Sequence, residues 1–269
     1  MSGVPQFEIR TESIRTPALE LDYYRVPWDT QILGVPVAQI GGLRIFDAAQ
    51  AARDYEAFAQ WCATERIALC ACRVPAGRLV ESMFLEERGF RFVELNYTPR
   101  LEGLQAMQIV AEGVHIEQAT GQDQEVLADM AAQVFRHGRL HQDPRIDPAL
   151  GDRRYRAWMT NAFAHPRQTV LKCLIDGEIV GFFVVEYPAA DHCFWSLIAL
   201  APGFAGRGLG KRVWRAVLGK LRADGINVVS TSISSHNVAV FNLYVALGFR
   251  FPEPAITLQW RPPGAGVLS

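Results

Sequence analysis

A glycine-rich segment carries the chemistry that is easiest to read from this sequence. Gly206, Gly208 and Gly210 alternate with other residues, and Lys211 follows at the start of a helix-like stretch. A strand that enters a helix through such a turn directs consecutive backbone N–H groups at one point, where the positive end of the helix dipole favours an anion. The expected guest is a phosphate or pyrophosphate.

The spacing disfavours two common nucleotide-binding loops. A Walker A loop would place its first glycine at Ala205 and its magnesium-binding hydroxyl at Arg212. A dinucleotide fingerprint would need its third glycine at Lys211, one residue later than Gly210. Neither a nucleoside triphosphatase nor an NAD or FAD site is therefore expected.

The loop resembles the acetyl-CoA pyrophosphate loop of the GNAT N-acetyltransferase superfamily, in which Arg/Gln-x-x-Gly-x-Gly/Ala follows a strand ending in V-x-P. Here Leu200-Ala201-Pro202 supplies the strand end, and Ala205 departs from the pattern by replacing the usual Arg or Gln. The resemblance implies acetyl-CoA as co-substrate. The residues expected to bind it are Ile198, Ala199, Leu200, Ala205, Gly206, Arg207, Gly208, Leu209, Gly210, Lys211 and Asn237.

A second segment is similar to the GNAT signature N-x-x-A-x-x-x-Y-x-x-x-G-F. It runs from Asn237 through Tyr244 to Gly248 and Phe249. By resemblance, Tyr244 protonates the departing thiolate of CoA, and Asn237 contacts the cofactor arm or the substrate. The N–H groups around Ile198 and Ala199 would polarise the thioester carbonyl. Taken singly, Asn237 is more typical of a helix N-cap and Tyr244 of a core residue, but both at the family spacing after the glycine loop favour the catalytic interpretation.

The sequence offers two candidates for the base that takes the proton from the attacking amine. Glu186 lies in a predicted strand from which a carboxylate could face the cofactor gap, and His236 adjoins Asn237. Either side chain is able to take a proton directly or through water. Both are also typical of solvated strand-end and loop positions.

The elements that position these residues alternate between strands and helices. We predict a hairpin over 169–175 and 179–187, strands at 193–200, 226–233 and 255–260, and helices at 211–223 and 237–248. We predict the fold class α/β with an α+β mixed sheet, and the resemblance implies a GNAT fold preceded by a truncated GNAT-like domain.

An internal repeat suggests that truncated domain. Residues 84–92 align with 243–251 at an offset of 159 residues, and both segments end a helix on glycine before Phe-Arg-Phe. Leu85 takes the place of Tyr244. We therefore expect a catalytically silent domain over 1–110, a catalytic domain over 111–262 and a flexible tail over 263–269.

A narrower resemblance concerns the acceptor. Residues 27–38 and 135–146 are similar to the W-D-S/T-x-x-F/L-G and F-x-x-S-R-F-H-x-D-P blocks of the dTDP-fucosamine acetyltransferase group, which acetylates the 4-amino group of a nucleotide-linked deoxyamino sugar. Gly138 and Leu140 depart from the second block. The cationic residues expected to bind a sugar diphosphate are Arg136, Arg139 and Arg145. His141 and Asp143 would hold sugar hydroxyls or the amine, and Glu186 completes the predicted substrate site. A solvated helix exit is the alternative interpretation of the block.

Composition is typical of an intracellular enzyme. The chain has 269 residues with 27 Lys and Arg against 28 Asp and Glu, so no bias toward nucleic acid or anionic membranes is expected. Five cysteines in apolar patterns favour reduced thiols, and neither a signal peptide nor a membrane span is predicted, which favours a cytoplasmic location. His137 and His141 have no third ligand at zinc spacing, so we assign no metal.

The function predicted is acetyl transfer from acetyl-CoA to a primary amine, with a nucleotide-linked amino sugar as the acceptor. The alternatives are a GNAT enzyme for a protein terminus, polyamine, amino acid or antibiotic, and a non-catalytic acyl-CoA-binding module. The sequence does not determine the oligomeric state, and a homodimer is one possibility.

Overall fold

The computed structural model of the chain describes residues 9–110, 113–204, 206 and 208–269. They group into two compact units. The N-terminal unit comprises 9–96, Arg139–Leu150 and Glu253–Ser269, and the C-terminal unit comprises the described parts of Tyr97–Gly138 and Gly151–Pro252. The domain boundaries at residues 110 and 262 stay predictions, because each unit is assembled from separated segments.

The N-terminal unit is built on a mixed sheet. Numbered along the whole chain, its elements are β1 (Thr11–Arg15), β2 (Leu19–Arg25), α1 (Pro27–Leu33), β3 (Val37–Ile45), α2 (Ala48–Asp54), α3 (Glu56–Thr64), β4 (Leu69–Pro75), α4 (Leu79–Glu87), β5 (Arg91–Tyr97), α6 (Arg139–Gln142) and β13 (Ala255–Trp260). The strands follow the order β1-β2-β3-β4-β13-β5, and only β3 and β4 are parallel neighbours within this order.

The C-terminal unit has a mixed sheet of its own, in the order β6-β11-β10-β9-β8-β7. Its elements are β6 (Arg100–Glu102), β7 (His115–Gln118), α5 (Gln124–Val134), α7 (Pro148–Ala162), β8 (Gln168–Ile175), β9 (Glu178–Ala189), β10 (His192–Leu200), α8 (Leu209–Ala223), β11 (Val228–Thr231), β12 (Ile233–Ser234) and α9 (Val238–Ala246). Only β10 and β11 are parallel within this sheet.

Local sequence explains the elements around the predicted site. Asp176 and Gly177 both have positive φ, 50° and 80°, which is the type I′ geometry that joins the β8–β9 hairpin. In α8 the apolar residues recur at helical spacing and are buried against one face of the sheet. Helices α5 and α7 cover the opposite face. The predicted hairpin and the predicted helix at 211–223 are confirmed.

The last strand, β13, joins a different sheet from the one that its position in the sequence suggests. β13 has the predicted bounds, but it lies between β4 and β5 in the N-terminal unit. Thr257, Leu258 and Gln259 are completely buried there. In the C-terminal sheet, the outer neighbour of β11 is β6. The predicted strand at 226–233 is shorter than expected and consists of β11 followed by the two residues of β12.

The mixed α/β class is confirmed. All five cysteines are buried and free, and burial raises the pKa of the Cys62, Cys72 and Cys193 thiols to about 12. Among the described helices, none is long and apolar enough to cross a membrane.

Candidate functional site

A parallel strand pair that separates part-way forms the centre of the site. β10 and β11 pair from His192 opposite Val228 to Trp195 opposite Thr231. β11 ends there, whereas β10 continues to Leu200. A register shift between Trp195 and Leu197 marks a β-bulge at Ser196, immediately after the last parallel pair. The second half of β10 therefore has one edge turned away from β9 and toward a gap.

The backbone groups that face this gap follow from the pairing with β9. The Ala201 N–H donates to the Val180 carbonyl at 2.9 Å. A side chain at Gly181 would approach the Ala199 carbonyl oxygen to 2.5 Å, so this carbonyl lies close against β9. Because residues along a strand alternate in direction, Ile198 and Leu200 present their N–H and C=O groups to the gap. Of the three predicted residues on β10, Ala199 is the one whose backbone is turned to β9.

The glycine loop connects the end of β10 to α8. Gly206 and Gly208 have φ of 76° and 74°, a conformation that glycine adopts without strain, and Gly208 is the N-cap of α8. Both are exposed, as is Lys211, while Leu209 and Gly210 are half-buried. The predicted Ala205 and Arg207 lie outside the described residues. The N-terminus of α8, a 15-residue helix, thus follows directly on a loop with exposed glycines. An anion-binding site at a helix N-terminus requires this arrangement.

The same helix end lies next to the other predicted elements. A Cβ atom on Gly210 would lie 3.3 Å from Leu243 of α9 and 4.0 Å from Leu200 of β10. Because Gly210 has no side chain, the start of α8 packs closely against both α9 and the end of β10. The glycine loop therefore lies next to these two elements in the C-terminal unit.

Tyr244 lies in α9 and is 2% exposed. Its ring centroid is 6.4 Å from that of Trp195 and 4.9 Å from that of Phe249. Burial raises the pKa of the Tyr244 phenol well above its usual value, and the polar groups of Trp214 and Thr231 offset only part of this rise. The Thr231 hydroxyl donates to the Trp195 carbonyl at 2.8 Å, at the last parallel pair. The phenol is therefore protonated at neutral pH beside the point where the strands separate.

Asn237 occupies the N-cap position of α9. Its side-chain oxygen accepts the Val240 N–H at 3.3 Å. The structure thus gives Asn237 a capping role, and its contact with a cofactor or substrate stays a prediction.

The two proposed bases differ in environment. Glu186 is half-buried on β9, opposite Phe194 of β10, and accepts from the Gln168 side chain at 2.7 Å. His236 is exposed. Glu186 is held more firmly, since a neighbouring strand fixes one of its oxygens.

Of the other predicted substrate residues, Arg136 lies in the C-terminal unit, where it pairs with Asp152, and the rest belong to the N-terminal unit. Arg139 donates to Asp29 at 2.5 Å and to the Gln259 side chain at 2.7 Å. Asp143 accepts from the Arg145 guanidinium at 2.9 and 2.8 Å and from Gln259 at 2.8 Å. The structure brings Arg139 and Asp143 together through Gln259, in a largely buried network that consists of Asp29, Arg139, Asp143, Arg145 and Gln259. His141 is half-buried on α6 between them in sequence.

Sequence reasoning missed two members of this network. Gln259 carries no motif, and its burial follows from β13 joining the N-terminal sheet. Asp29 stands in the W-D block, where an acidic residue within an apolar segment is a signal for a buried partner. Its side chain is 1% exposed.

The network predicts a pH dependence of stability. Burial pushes the pKa of Asp143 upward, but the hydrogen bonds from Arg145 and Gln259 outweigh this effect and hold the pKa below its usual value. A depressed pKa stabilises the fold above the unfolded-state value of about 3.9, and this contribution is lost as pH falls through the folded-state pKa. We expect the stability difference between the wild type and Asp143→Asn to shrink below about pH 4. Urea unfolding at several pH values measures it, and a difference that stays constant from neutral to acid pH would contradict the assignment.

The comparisons with known proteins agree with this geometry. The acetyltransferase (GNAT) family matches residues 133–249. The GCN5-related N-acetyltransferase from Sphaerobacter thermophilus has a TM-score of 0.65 at 12% identity, covering 93% of this chain and 79% of that chain. A tandem GNAT protein from the clavulanic acid biosynthesis pathway has a TM-score of 0.61 at 14% identity, covering 98% and 86%. Both likenesses concern the fold.

One curated relative is similar in sequence. The spore coat polysaccharide biosynthesis protein SpsD of Bacillus subtilis (strain 168) is 23% identical over 127 residues. The match covers 47% of this chain and 44% of that protein, so it spans less than half of the relative's length.

Proposed function

We propose that the chain is an acetyl-CoA-dependent N-acetyltransferase that acetylates a primary amine, because residues 133–249 match the acetyltransferase (GNAT) family. The observation that carries this proposal is the separation of β10 from β11 after Trp195 and Thr231, directly ahead of the glycine loop. This arrangement offers a strand edge to an amide-containing arm and a helix N-terminus to a pyrophosphate.

The residues of the C-terminal unit fit acetyl-CoA as a bound co-substrate. Exposed backbone at Gly206 and Gly208, with the positive charge of Lys211 one turn into α8, suits a pyrophosphate. The backbone N–H and C=O groups of Ile198 and Leu200 that face the gap are suited to hydrogen bonds with the amides of the pantetheine arm. The thioester supplied by acetyl-CoA is the acyl donor.

Proton transfer is assigned to this chain's own side chains. As the amine nitrogen forms its bond to the acetyl carbon and the carbon–sulfur bond breaks, Tyr244 gives its proton to the departing sulfur. Glu186, with His236 as the alternative, accepts the proton that the amine loses. In this proposal, the backbone N–H of Ile198 stabilises the negative charge on the acetyl oxygen.

For the acceptor, we propose a nucleotide-linked deoxyamino sugar. Two blocks of the chain resemble the amino-sugar acetyltransferase group, and the curated relative is named for polysaccharide biosynthesis. One observation favours a different amine. The cations expected to bind a diphosphate are paired with carboxylates of the protein, namely Arg136 with Asp152, Arg139 with Asp29 and Arg145 with Asp143. A small amine without a diphosphate is therefore the second candidate.

Mass spectrometry of the acceptor separates these candidates. The chain is incubated with acetyl-CoA and, in parallel, a dTDP-linked 4-amino-4,6-dideoxyhexose, a polyamine, an amino acid and a peptide. We expect the sugar nucleotide to gain one acetyl group with equimolar release of CoA. If only another amine were acetylated, that amine would replace the sugar nucleotide as the proposed acceptor. If no compound were acetylated and no CoA were released, the proposed enzymatic activity would be wrong.

The glycine loop gives a prediction about affinity. Gly208→Ala places a Cβ atom in the left-handed region, which costs about 1–2 kcal/mol. If binding requires this conformation, the Kd for acetyl-CoA rises by about 5- to 30-fold. Calorimetry measures it against Gly219→Ala, the same substitution inside α8, where the new Cβ atom meets Ile109 at an ordinary 3.6 Å. Equal Kd values for both variants would contradict the role of the loop.

A further inference from the structure

The N-terminal unit repeats the separated strand pair of the C-terminal unit. β3 and β10 are both nine residues long, and each is parallel to its neighbour over four residue pairs. The register of β3 against β2 shifts at Gly41, one residue after its last parallel pair, as β10 does at Ser196. This shared geometry makes Leu43 the counterpart of Ile198 and Ile45 the counterpart of Leu200.

The helix that follows is repeated as well. α4 and α9 each have nine residues, and the alignment of 84–92 with 243–251 extends back through both helices. Arg78 and Asn237 are thus equivalent N-cap residues, and Glu81 is equivalent to Val240.

In the N-terminal unit, two side chains at the start of α4 contact the edge of β3. Arg78 donates from Nη1 to the Leu43 carbonyl at 3.4 Å, and the Ile45 N–H donates to Glu81 Oε1 at 3.4 Å. The Phe46 N–H donates to Ala18 at 2.9 Å, so the Ile45 N–H points away from β2 and into the gap. Glu81 is 9% exposed, although it is ionisable. These strand groups are the counterparts of those that face the gap in the C-terminal unit.

The helix that follows β3 has a carboxylate of the chain at its N-terminus. β3 ends at Ile45, and α2 begins at Ala48 without a glycine loop. Asp47 caps α2 by accepting the Gln50 N–H at 3.0 Å. Asp47 thus holds the N-cap position of α2, as Gly208 holds that of α8.

We propose that Asp47, Arg78 and Glu81 are a permanent internal replacement for a cofactor, which closes the N-terminal cleft and leaves one acetyl-CoA site in the chain. The proposal rests on the proposed function of the C-terminal unit. In that unit Val240 has no polar group to offer Leu200, and Asn237 accepts from its own helix. Among the described residues, the strand edge of the N-terminal cleft is thus bonded to side chains of the chain, whereas no side chain of α9 bonds the strand edge of the C-terminal cleft.

Calorimetry with acetyl-CoA tests the number of sites in the full chain. We expect one site in the wild type and loss of binding in the double variant Gly206→Val, Gly208→Val. Two sites in the wild type, of which one remains with unchanged affinity in the double variant, would overturn the closed cleft while leaving the proposed function intact. Absence of binding to the wild type would instead remove the proposed function, and the closed cleft with it.

Amide hydrogen exchange tests the closing contact without any ligand. Glu81→Val should speed exchange at the Ile45 amide several-fold, up to about tenfold, because its acceptor is lost. Glu81→Gln keeps an acceptor oxygen and should restore slow exchange. Glu87→Val, on the same helix at a side chain that is 73% exposed, is the control and should leave this amide unchanged. Equal exchange at Ile45 in Glu81→Val and the wild type would overturn the contact.

Discussion

Tyr244→Phe is expected to lower kcat for acetyl transfer by about 10²-fold or more, in line with the usual contribution of a general acid. The substitution removes only the phenolic O–H, whose raised pKa keeps it protonated at neutral pH. The ring contacts with Trp195 and Phe249 are retained. The expected signature is a loss in kcat with an unchanged Kd for acetyl-CoA, measured by thiol release and by calorimetry.

Tyr187→Phe is the matched control. Tyr187 lies on β9 of the same unit and is 45% exposed, so loss of its hydroxyl should leave kcat within twofold, as for most surface changes. If Tyr244→Phe kept the wild-type rate, Tyr244 would be a core residue only and the departing sulfur would need another proton donor.

Asp29→Asn is expected to destabilise the N-terminal unit by about 3–5 kcal/mol, the range for a buried ion pair that loses one partner. The Asp29 side chain is 1% exposed and that of Arg139 is 12% exposed, so neither charge is well solvated. The variant leaves the Arg139 charge beside a neutral amide. Urea unfolding followed by fluorescence measures the change.

The exposed pair of Arg15 and Asp22 supplies the comparison. It has the same 2.5 Å separation, but its side chains are 51% and 34% exposed. Asp22→Asn should therefore cost about 1 kcal/mol or less. If Asp29→Asn were no more destabilising than Asp22→Asn, burial would not decide the strength of the Asp29–Arg139 pair.

Local signals account for what could be predicted of the fold. The Asp176-Gly177 turn and the apolar spacing of α8 depend on neighbours in sequence, and both were predicted correctly. The bounds of β13 were predicted as well, from its own residues. The sheet that β13 joins could not be predicted, because strand partners distant in sequence leave no local pattern.

The candidate site shows the same division. The glycine loop and α9 are contiguous motifs, and a single sequence displays them. The Asp29–Arg139–Gln259 contacts join three segments that meet only after folding. Likewise, the bonds from Arg78 and Glu81 to β3 depend on a splayed strand edge, and neither residue belongs to a recognisable motif.

Hydrogen exchange of the full chain with and without saturating acetyl-CoA tests the central claim most directly. We predict that acetyl-CoA slows exchange at the amides of 197–200 and 206–211, where the strand edge and the helix N-terminus would bind it, and leaves residues 41–45 of β3 unchanged. Exchange at 197–200 and 206–211 that is the same with and without acetyl-CoA would contradict the assignment of the C-terminal unit as the cofactor site.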